Sequence, residues 1–461
     1  MQHTQRNRLM GIKQARGFTI VELAVVVLVL GILVSLSVFA WNGWRERTAV
    51  NVLKSDLSGA AAQLASDLQW KNTYPETVEA ANGGKGLPAS EGTTYQYTRT
   101  AANAYCLTAI SATSGVSSMM ISSDDQSPRE GICAGHDDGL PREIVVTTIA
   151  GKEIKDQYGN VVGGYADGTG EEAAFKYARD IAVDKDGNIY TADNWPGYYR
   201  VRKITPAGEV TTIAGTGEHG SNDGPALSAT FLGITGITLD KDGNIFLADY
   251  NKVRKIDTNG IVSTIRTYGS FALSAIVIND STGDLYVYGC NTIYKVTQAG
   301  TSTAYAGSCT SGYADGVGAA ARFYYPSSMA IDGAGNIYVA DHYNANHNRI
   351  RKVATDRTVT TIAGSEVSGS ADGVGAAAQF STLQGITVDV QGNLYVTEHG
   401  NPRIRKITPE GVVTTVVGTT QRLYRDGTAE EARFASPGSL IWDSRRYLYL
   451  IDSHRIRRVT L

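Results

Sequence analysis

Asp184-Lys-Asp-Gly-Asn-Ile-Tyr-Thr-Ala-Asp193 reads as a tight turn running into a short strand, and this ten-residue element returns five more times. Close copies run from Asp240 to Asp249, Asp332 to Asp341 and Asp389 to Glu398, with weaker ones from Asn279 to Tyr288 and Asp443 to Asp452. Behind each comes a basic alternating segment: Arg200-Val-Arg-Lys-Ile204, Lys252-Val-Arg-Lys-Ile256, Thr292-Ile-Tyr-Lys-Val296, Arg349-Ile-Arg-Lys-Val353, Arg403-Ile-Arg-Lys-Ile407 and Arg455-Ile-Arg-Arg-Val459. A further element, Thr211-Thr-Ile-Ala-Gly215, follows the first of these and recurs around Ser263, Thr303, Thr360 and Thr414.

Four short strands roughly every 40 to 57 residues are the signature of propeller blades. The sixth copy stops at Leu461 after its third strand, while an unattached Thr147-Thr-Ile-Ala-Gly151 stands before the first copy. The expectation is that this N-terminal strand completes the last blade and closes a six-bladed ring over residues 144–461, removing an open sheet edge. These repeats, with Gly164-Tyr-Ala-Asp-Gly168, Gly312-Tyr-Ala-Asp-Gly316 and Gly369-Ser-Ala-Asp-Gly373 and the Ala-rich segments ending in Phe175, Phe323 and Phe380, resemble NHL-repeat β-propellers. The resemblance covers about 320 residues and is weakest in the third copy, Ser270 to Ser308, which lacks the Ala-Asp-Gly loop.

Composition agrees with a mainly β fold. The 461 residues include 51 glycines but only 11 prolines, and 42% are apolar, enough to bury cores in two or three units. A net charge of −3 leaves no basic excess for a phosphate backbone, so nucleic acid is not an expected partner.

The first 44 residues follow another logic. Residues 1–17 carry Arg6, Arg8, Lys13 and Arg16 with no acid, which holds this segment on the cytoplasmic side. From Phe18 to Trp44 the only charge is Glu22, and the run from Leu23 to Trp44 is long enough to cross a bilayer as a helix. A signal peptide cut after Ala40 or a plain anchor would leave the carboxylate of Glu22 in hydrocarbon without a partner. The stretch Gly17-Phe18-Thr-Ile-Val-Glu22-Leu23 behind a basic leader resembles the processing site of type IV prepilins and pseudopilins. The resemblance implies cleavage between Gly17 and Phe18 by a membrane-embedded prepilin peptidase, N-methylation of Phe18, and assembly with other pilin subunits in which Glu22 neutralises a neighbour's Phe18 amine. This sequence departs from many pilins in having no proline before Pro75 to kink the helix.

Beyond the membrane, Val50, Leu53, Leu57, Ala61, Leu64 and Leu68 form an amphipathic stripe ending near Lys71. In pilins such a helix packs on a small antiparallel sheet, for which Tyr95 to Thr98 and Ala104 to Ile110 are strand candidates. The expected organisation is a leader (1–17), a membrane and assembly helix (18–44), a small α+β pilin head (45–135), a linker (136–143) and the propeller (144–461). Four cysteines without a CxxC pair suit an oxidising compartment: Cys106 with Cys133 would close a loop as many pilins do, and Cys290 with Cys309 would staple the short third blade, free thiols being the alternative.

Within the repeats, the Asp-Gly pairs at 167, 223, 315, 372 and 426 lack calcium-loop spacing and read as turns. Alternation puts Arg200, Arg202, Arg349, Arg351, Arg403 and Arg405 on one strand face, where they are expected to solvate a blade side and pair with aspartates. The position after each second strand holds Asn194, Tyr250, His342 and His399, with Ser453 and His454 in the last copy, and these are expected to gather at one rim as a binding surface. His342, His399 and His454 also admit a metal site of the kind some propeller lyases and lactonases use; the polar-rim reading is preferred, with no catalytic residue, no metal and no cofactor. The function so reached is a minor or tip pilin that matures in the inner membrane, reaches the cell surface and displays a propeller for an extracellular glycan, protein or surface. A type II secretion pseudopilin and a surface-tethered metal-dependent enzyme are the alternatives.

Overall fold

The computed structural model describes residues 48–461 apart from 70–72, 76–80, 83–84, 91–92, 102–103, 112–117, 124–126, 131–143, 159–160, 344–345 and 444–445. The cleavage site Gly17-Phe18, Glu22, the segment 18–44, Cys133 and the linker 136–143 lie outside the described residues. Among the described residues no helix is long and apolar enough to cross a membrane. The chain divides into two compact units, 1–140 and 141–461.

In the first unit the apolar stripe forms a helix over residues 48–69. Leu53, Leu57, Ala60, Ala61 and Leu64 are buried against Tyr105, Leu107, Ala109, Met119 and Ile121. Those partners belong to a four-stranded antiparallel sheet in sequence order, Thr93–Ala101, Ala104–Ser111, Met119–Ser122 and Arg129–Glu130. Tyr95 and Tyr97 anchor it by donating their hydroxyls to the carbonyls of Pro88 and Pro75. Cys106, on the second strand, is disulfide-bonded, and the pairing expected with Cys133 falls on a residue outside the described set.

Among its described residues the second unit forms six antiparallel sheets. Their innermost strands are Ala178–Val183 (sheet I), Ile234–Leu239 (II), Leu273–Asn279 (III), Tyr325–Ile331 (IV), Leu383–Val388 (V) and Pro437–Asp443 (VI). Each packs against the next, and that of sheet VI packs against that of sheet I, so the sheets run in a ring. Within a sheet the chain steps outward strand by strand, and between sheets it crosses through the loop carrying the Asp-Gly pair, except from sheet II to sheet III, where residues 268–272 cross without one. Sheet VI takes its fourth strand from the other end of the unit. Val145–Ala150 lies antiparallel to Arg455–Thr460, with Val146 opposite Val459 and Thr148 opposite Arg457, as the unattached repeat element requires.

The Ala-Gly step ending the fourth strands explains itself at Gly215. There φ is +94° and a β-carbon would run into the carbonyl oxygen of Tyr199, so the strand bulges where only glycine fits.

The basic strands depart from expectation. Arg202, Arg254, Arg351, Arg405 and Arg457 are not solvated but among the most deeply buried side chains of the molecule. In sheet I, Arg202 donates to Asp193 on the second strand (3.0 Å), to Asp167 of the Asp-Gly loop (2.7 Å) and to the carbonyls of Ala166 and Ala174. Asp167 in turn accepts from the backbone N–H and hydroxyl of Thr212 on the fourth strand. The same set recurs as Arg254 with Asp249, Asp223 and Thr264; Arg351 with Asp341, Asp315 and Thr361; Arg405 with Glu398, Asp372 and Thr415; and Arg457 with Asp452, Asp426 and Thr148. A buried guanidinium is tolerated because two carboxylates and two carbonyls accept from its two terminal nitrogens. The Asp-Gly aspartates are therefore ion-pair partners, and instead of forming turns each stands directly before a two-residue strand that begins at its glycine. Arg200, Arg349 and Arg403 share the face but sit at its edge; Arg200 and Arg349 lie over the rings of Tyr165 and Tyr313.

Sheet III has exchanged the whole set at once. Tyr294 stands where the buried arginine would be, Gly289 replaces the second-strand acid and Ala304 the threonine. Tyr268, Phe271 and Tyr294 pack together there instead, and Cys290 and Cys309 are joined by a disulfide across a separation of 19 residues. Replacing both cysteines with serine should lower stability by about 3 kcal/mol, the loop-closure value for a ring of this size. An unchanged denaturation midpoint under oxidising conditions would show the bridge to be dispensable.

Candidate ligand-binding face

The inner strands begin, and the second strands end, at the same end of the ring, where a cavity of about 390 Å³ opens on the axis. One residue per sheet, the second of each inner strand or its equivalent, lines it: Arg179, Thr235, Ser274, Ser327, Gln384 and Gly438. Ser328, Ser436, Ser439 and Ser453 add further hydroxyls. Several of these hydroxyls tie neighbouring sheets together. Thr235, Ser274 and Ser327 donate to the carbonyls of Leu273, Pro326 and Leu383 on the next inner strand, at 2.8, 3.2 and 3.1 Å. With their protons committed, they offer only lone pairs to the cavity. Asp180 closes the ring between sheets VI and I, accepting from the Ser439 hydroxyl and the Ile237 amide, and burial pushes its carboxyl above the usual range.

The expected rim residues all lie at this end, but they do not converge. His399 and His454 line the cavity together with Ser453. Asn194 turns its side chain toward Gly233 of the next sheet, with Oδ1 3.4 Å from where a β-carbon would stand, and Tyr250 is 48% exposed. His342 sits half-buried on a strand opposite Tyr325, outside the cavity lining. Burial holds the imidazoles of His342, His399 and His454 below the usual histidine range, so all three are neutral at neutral pH. Neutral imidazoles suit a metal, but the three do not meet: the Nδ1 atom of His399 faces the Ser436 hydroxyl at 3.2 Å, and His454 packs against Gly163. Among the described residues no three His, Cys, Asp or Glu side chains are grouped to hold an ion.

The cavity-lining position escaped the sequence reading, though it left a signal. At one fixed offset in every repeat, where an inner strand could be apolar throughout, five of six copies carry Arg, Thr, Ser, Ser or Gln. A polar residue repeated on an innermost strand marks the face that looks down the axis.

Comparison with known proteins places this architecture. Residues 215–277 match the family model of the teneurin NHL domain. Teneurin-3 of Mus musculus is 29% identical over 307 residues, an alignment covering 59% of this chain and 10% of that protein. Teneurin-4 of Homo sapiens is 26% identical over 245 residues, covering 42% of this chain and 9% of that one. The chain thus spans about a tenth of the length of these relatives. Among solved structures, a protein of unknown function from Bacteroides thetaiotaomicron superposes with a TM-score of 0.54 at 20% identity, covering 78% of this chain and 82% of that one. An auxiliary nutrient binding protein from Bacteroides ovatus gives the same TM-score at 16% identity, covering 78% and 84%. Repeats, ring of sheets and matched segment agree that residues 141–461 carry an NHL-like β-propeller fold.

Proposed function

We propose that this chain is a type IV pilin-like subunit, in a minor or tip position, that displays a six-bladed NHL-type propeller as an extracellular ligand-binding head and performs no catalysis. One observation carries the reading. The basic leader, Gly17-Phe18, Glu22 and the apolar run stand directly ahead of a helix that packs on a small antiparallel sheet, in a unit separate from the propeller. Cleavage after Gly17 would create a cationic amine on Phe18 beside the membrane, and Glu22 of an adjacent subunit would neutralise it during assembly. Partners are then other pilin subunits and the prepilin peptidase, and the route runs from inner membrane to cell surface. A head of about 320 residues is bulky against a helix-to-helix spacing of about 10 Å, which favours low copy number or the tip. The propeller contributes a polar cavity of ligand size at one end of the ring, with no grouped metal ligands among its described residues; the Ser436 hydroxyl and the His399 imidazole meet in its wall at 3.2 Å.

Glu22→Ala is the test. The variant should still be cleaved but should be absent from sheared filaments, because the neighbour's amine loses its counter-charge. Wild-type levels of the variant in filaments would refute the assembly role.

A further inference from the structure

Two positions at the cavity end of the ring are aromatic in only two of the six sheets, and in the same two. The residue before the inner strand, or its equivalent, is Tyr177 in sheet I and Tyr325 in sheet IV, against Gly233, Ala272, Thr382 and Ser436 elsewhere. The second residue after the acid of the second strand, or its equivalent, is Trp195 in sheet I and Tyr343 in sheet IV, against Asn251, Asn291, Gly400 and His454. Sheets I and IV are three apart in a ring of six and so face each other across the axis. Each sheet thus presents a pair of rings. Tyr177 and Trp195 lie 6.1 Å apart, and Tyr325 and Tyr343 lie 5.9 Å apart with planes only 17° from parallel. Tyr343 is backed by Tyr324 at 4.9 Å, and Tyr313 closes edge-on at 4.4 Å, so the second platform is held in place. All four outer rings are exposed, from 40% for Tyr343 to 60% for Tyr325, although the sheet cores are already filled by Phe175 and Phe323. Lys176 stands near the Trp195 ring at 5.8 Å and Arg179 near the Tyr177 ring at 6.0 Å, and both aromatic residues still stay about half exposed.

We propose that this end of the ring binds a neutral saccharide, its pyranose faces laid on Trp195 and Tyr325 and its hydroxyls directed into the cavity. The chemistry selects that ligand class. Exposed ring faces match the flat C–H face of a pyranose. Thr235, Ser274 and Ser327 have spent their protons on neighbouring carbonyls and, with Asp180, form a wall of acceptors, which asks for a ligand rich in O–H donors. Arg179 and Gln384 supply the complementary donors. The same acceptor wall disfavours an anionic ligand. The inference rests on the ligand-binding role proposed above and names its ligand class.

The test uses the full chain in a non-glycosidic detergent, titrated calorimetrically with cellohexaose, maltohexaose and mannohexaose, and with a sulfated oligosaccharide as the anionic control. Binding of at least one neutral hexasaccharide is expected, with a change in Trp195 fluorescence. Trp195→Ala and Tyr325→Ala should each weaken it about tenfold, and Tyr250→Ala, exposed at the same end but outside both pairs, should not. Because Trp195 and Tyr325 are exposed, unchanged melting temperatures confirm that these variants fold. Failure of all three neutral sugars to bind, or binding indifferent to both substitutions, would overturn the proposal. Adhesion of filament-bearing cells, measured in parallel, separates the two claims. Adhesion lost on deleting 145–461 yet insensitive to these sugars and to both variants overturns the saccharide assignment alone, whereas adhesion that survives the deletion overturns the ligand-binding head itself.

Discussion

Deleting Val145–Ala150 from the full chain destabilises the whole ring, not just the last sheet. The segment supplies the fourth strand of sheet VI, buries Val146 and Ala150 completely, and donates the Thr148 amide and hydroxyl to Asp426, itself paired with Arg457. Without it, Arg455–Thr460 becomes an edge with unpaired backbone groups, and one of the five buried arginine clusters loses its outer support. Lost apolar burial and lost hydrogen bonds to a charged group together amount to roughly 5 kcal/mol or more. The propeller transition should fall by about 10 °C or disappear into aggregation. An equal-length deletion at 136–141, in the expected linker, is the control and should leave it in place. Equal melting temperatures for the two deletions would refute closure by this strand.

Arg351→Met should cost about 3–5 kcal/mol, because it strands Asp341, which is fully buried, while Asp315 is half-exposed and can turn to water. The loss has a characteristic pH dependence. In the wild-type protein burial pushes the Asp341 carboxyl up to about 6 from its ordinary 3.8, against the downward pull of Arg351 and the backbone amides of Tyr324 and Tyr325. A carboxyl raised in the folded state adds stability that is complete below its unfolded value and is lost as pH rises through the folded one. Removing Arg351 lifts the folded value further. The gap between variant and wild type should therefore widen from pH 5 to pH 8, measured by denaturant titration. Arg351→Met combined with Asp341→Asn, which leaves no stranded charge, should lose less than the single variant. A gap independent of pH, or a double variant worse than the single, would contradict the buried-pair account.

These clusters show where the sequence was legible and where it stopped. The repeat period, the strands and the partner of the unattached Thr147-Thr-Ile-Ala-Gly151 could be read because they depend on local pattern and on counting. The fate of Arg351 could not. Its alternation with Ile350 and Val353 is that of a half-solvated strand, and what buries it is Asp315, 36 residues away, meeting Asp341 and Thr361 at one point. The recurrence of Asp-Gly, of the basic strands and of the Thr-Thr or Ser-Thr element was visible, but that the three belong to one network follows only from the folded sheets.

The candidate site divides in the same way. Counting led to the end of the ring where the cavity opens, since His399 and His454 line it. It could not tell which side chains turn inward, because one step along a pleated strand reverses direction. Asn194, Tyr250 and His342 occupy equivalent places and point elsewhere, while the inner-strand residues from Arg179 to Gln384 form the wall. In sheet III the sequence showed the missing loop and the Cys290–Cys309 staple, which the structure bears out, but not that Tyr294 with Tyr268 and Phe271 fills the place of the buried arginine cluster.

The central claim is that a pilin-type N-terminus carries this propeller out of the cell, and the mass of the mature N-terminal peptide tests it most directly. In filaments sheared from cells and digested for mass spectrometry, the account predicts a first peptide beginning at Phe18 with one added methyl group on its amine. A chain that begins at Trp41 or retains Met1, or that is missing from the filament fraction altogether, would contradict it.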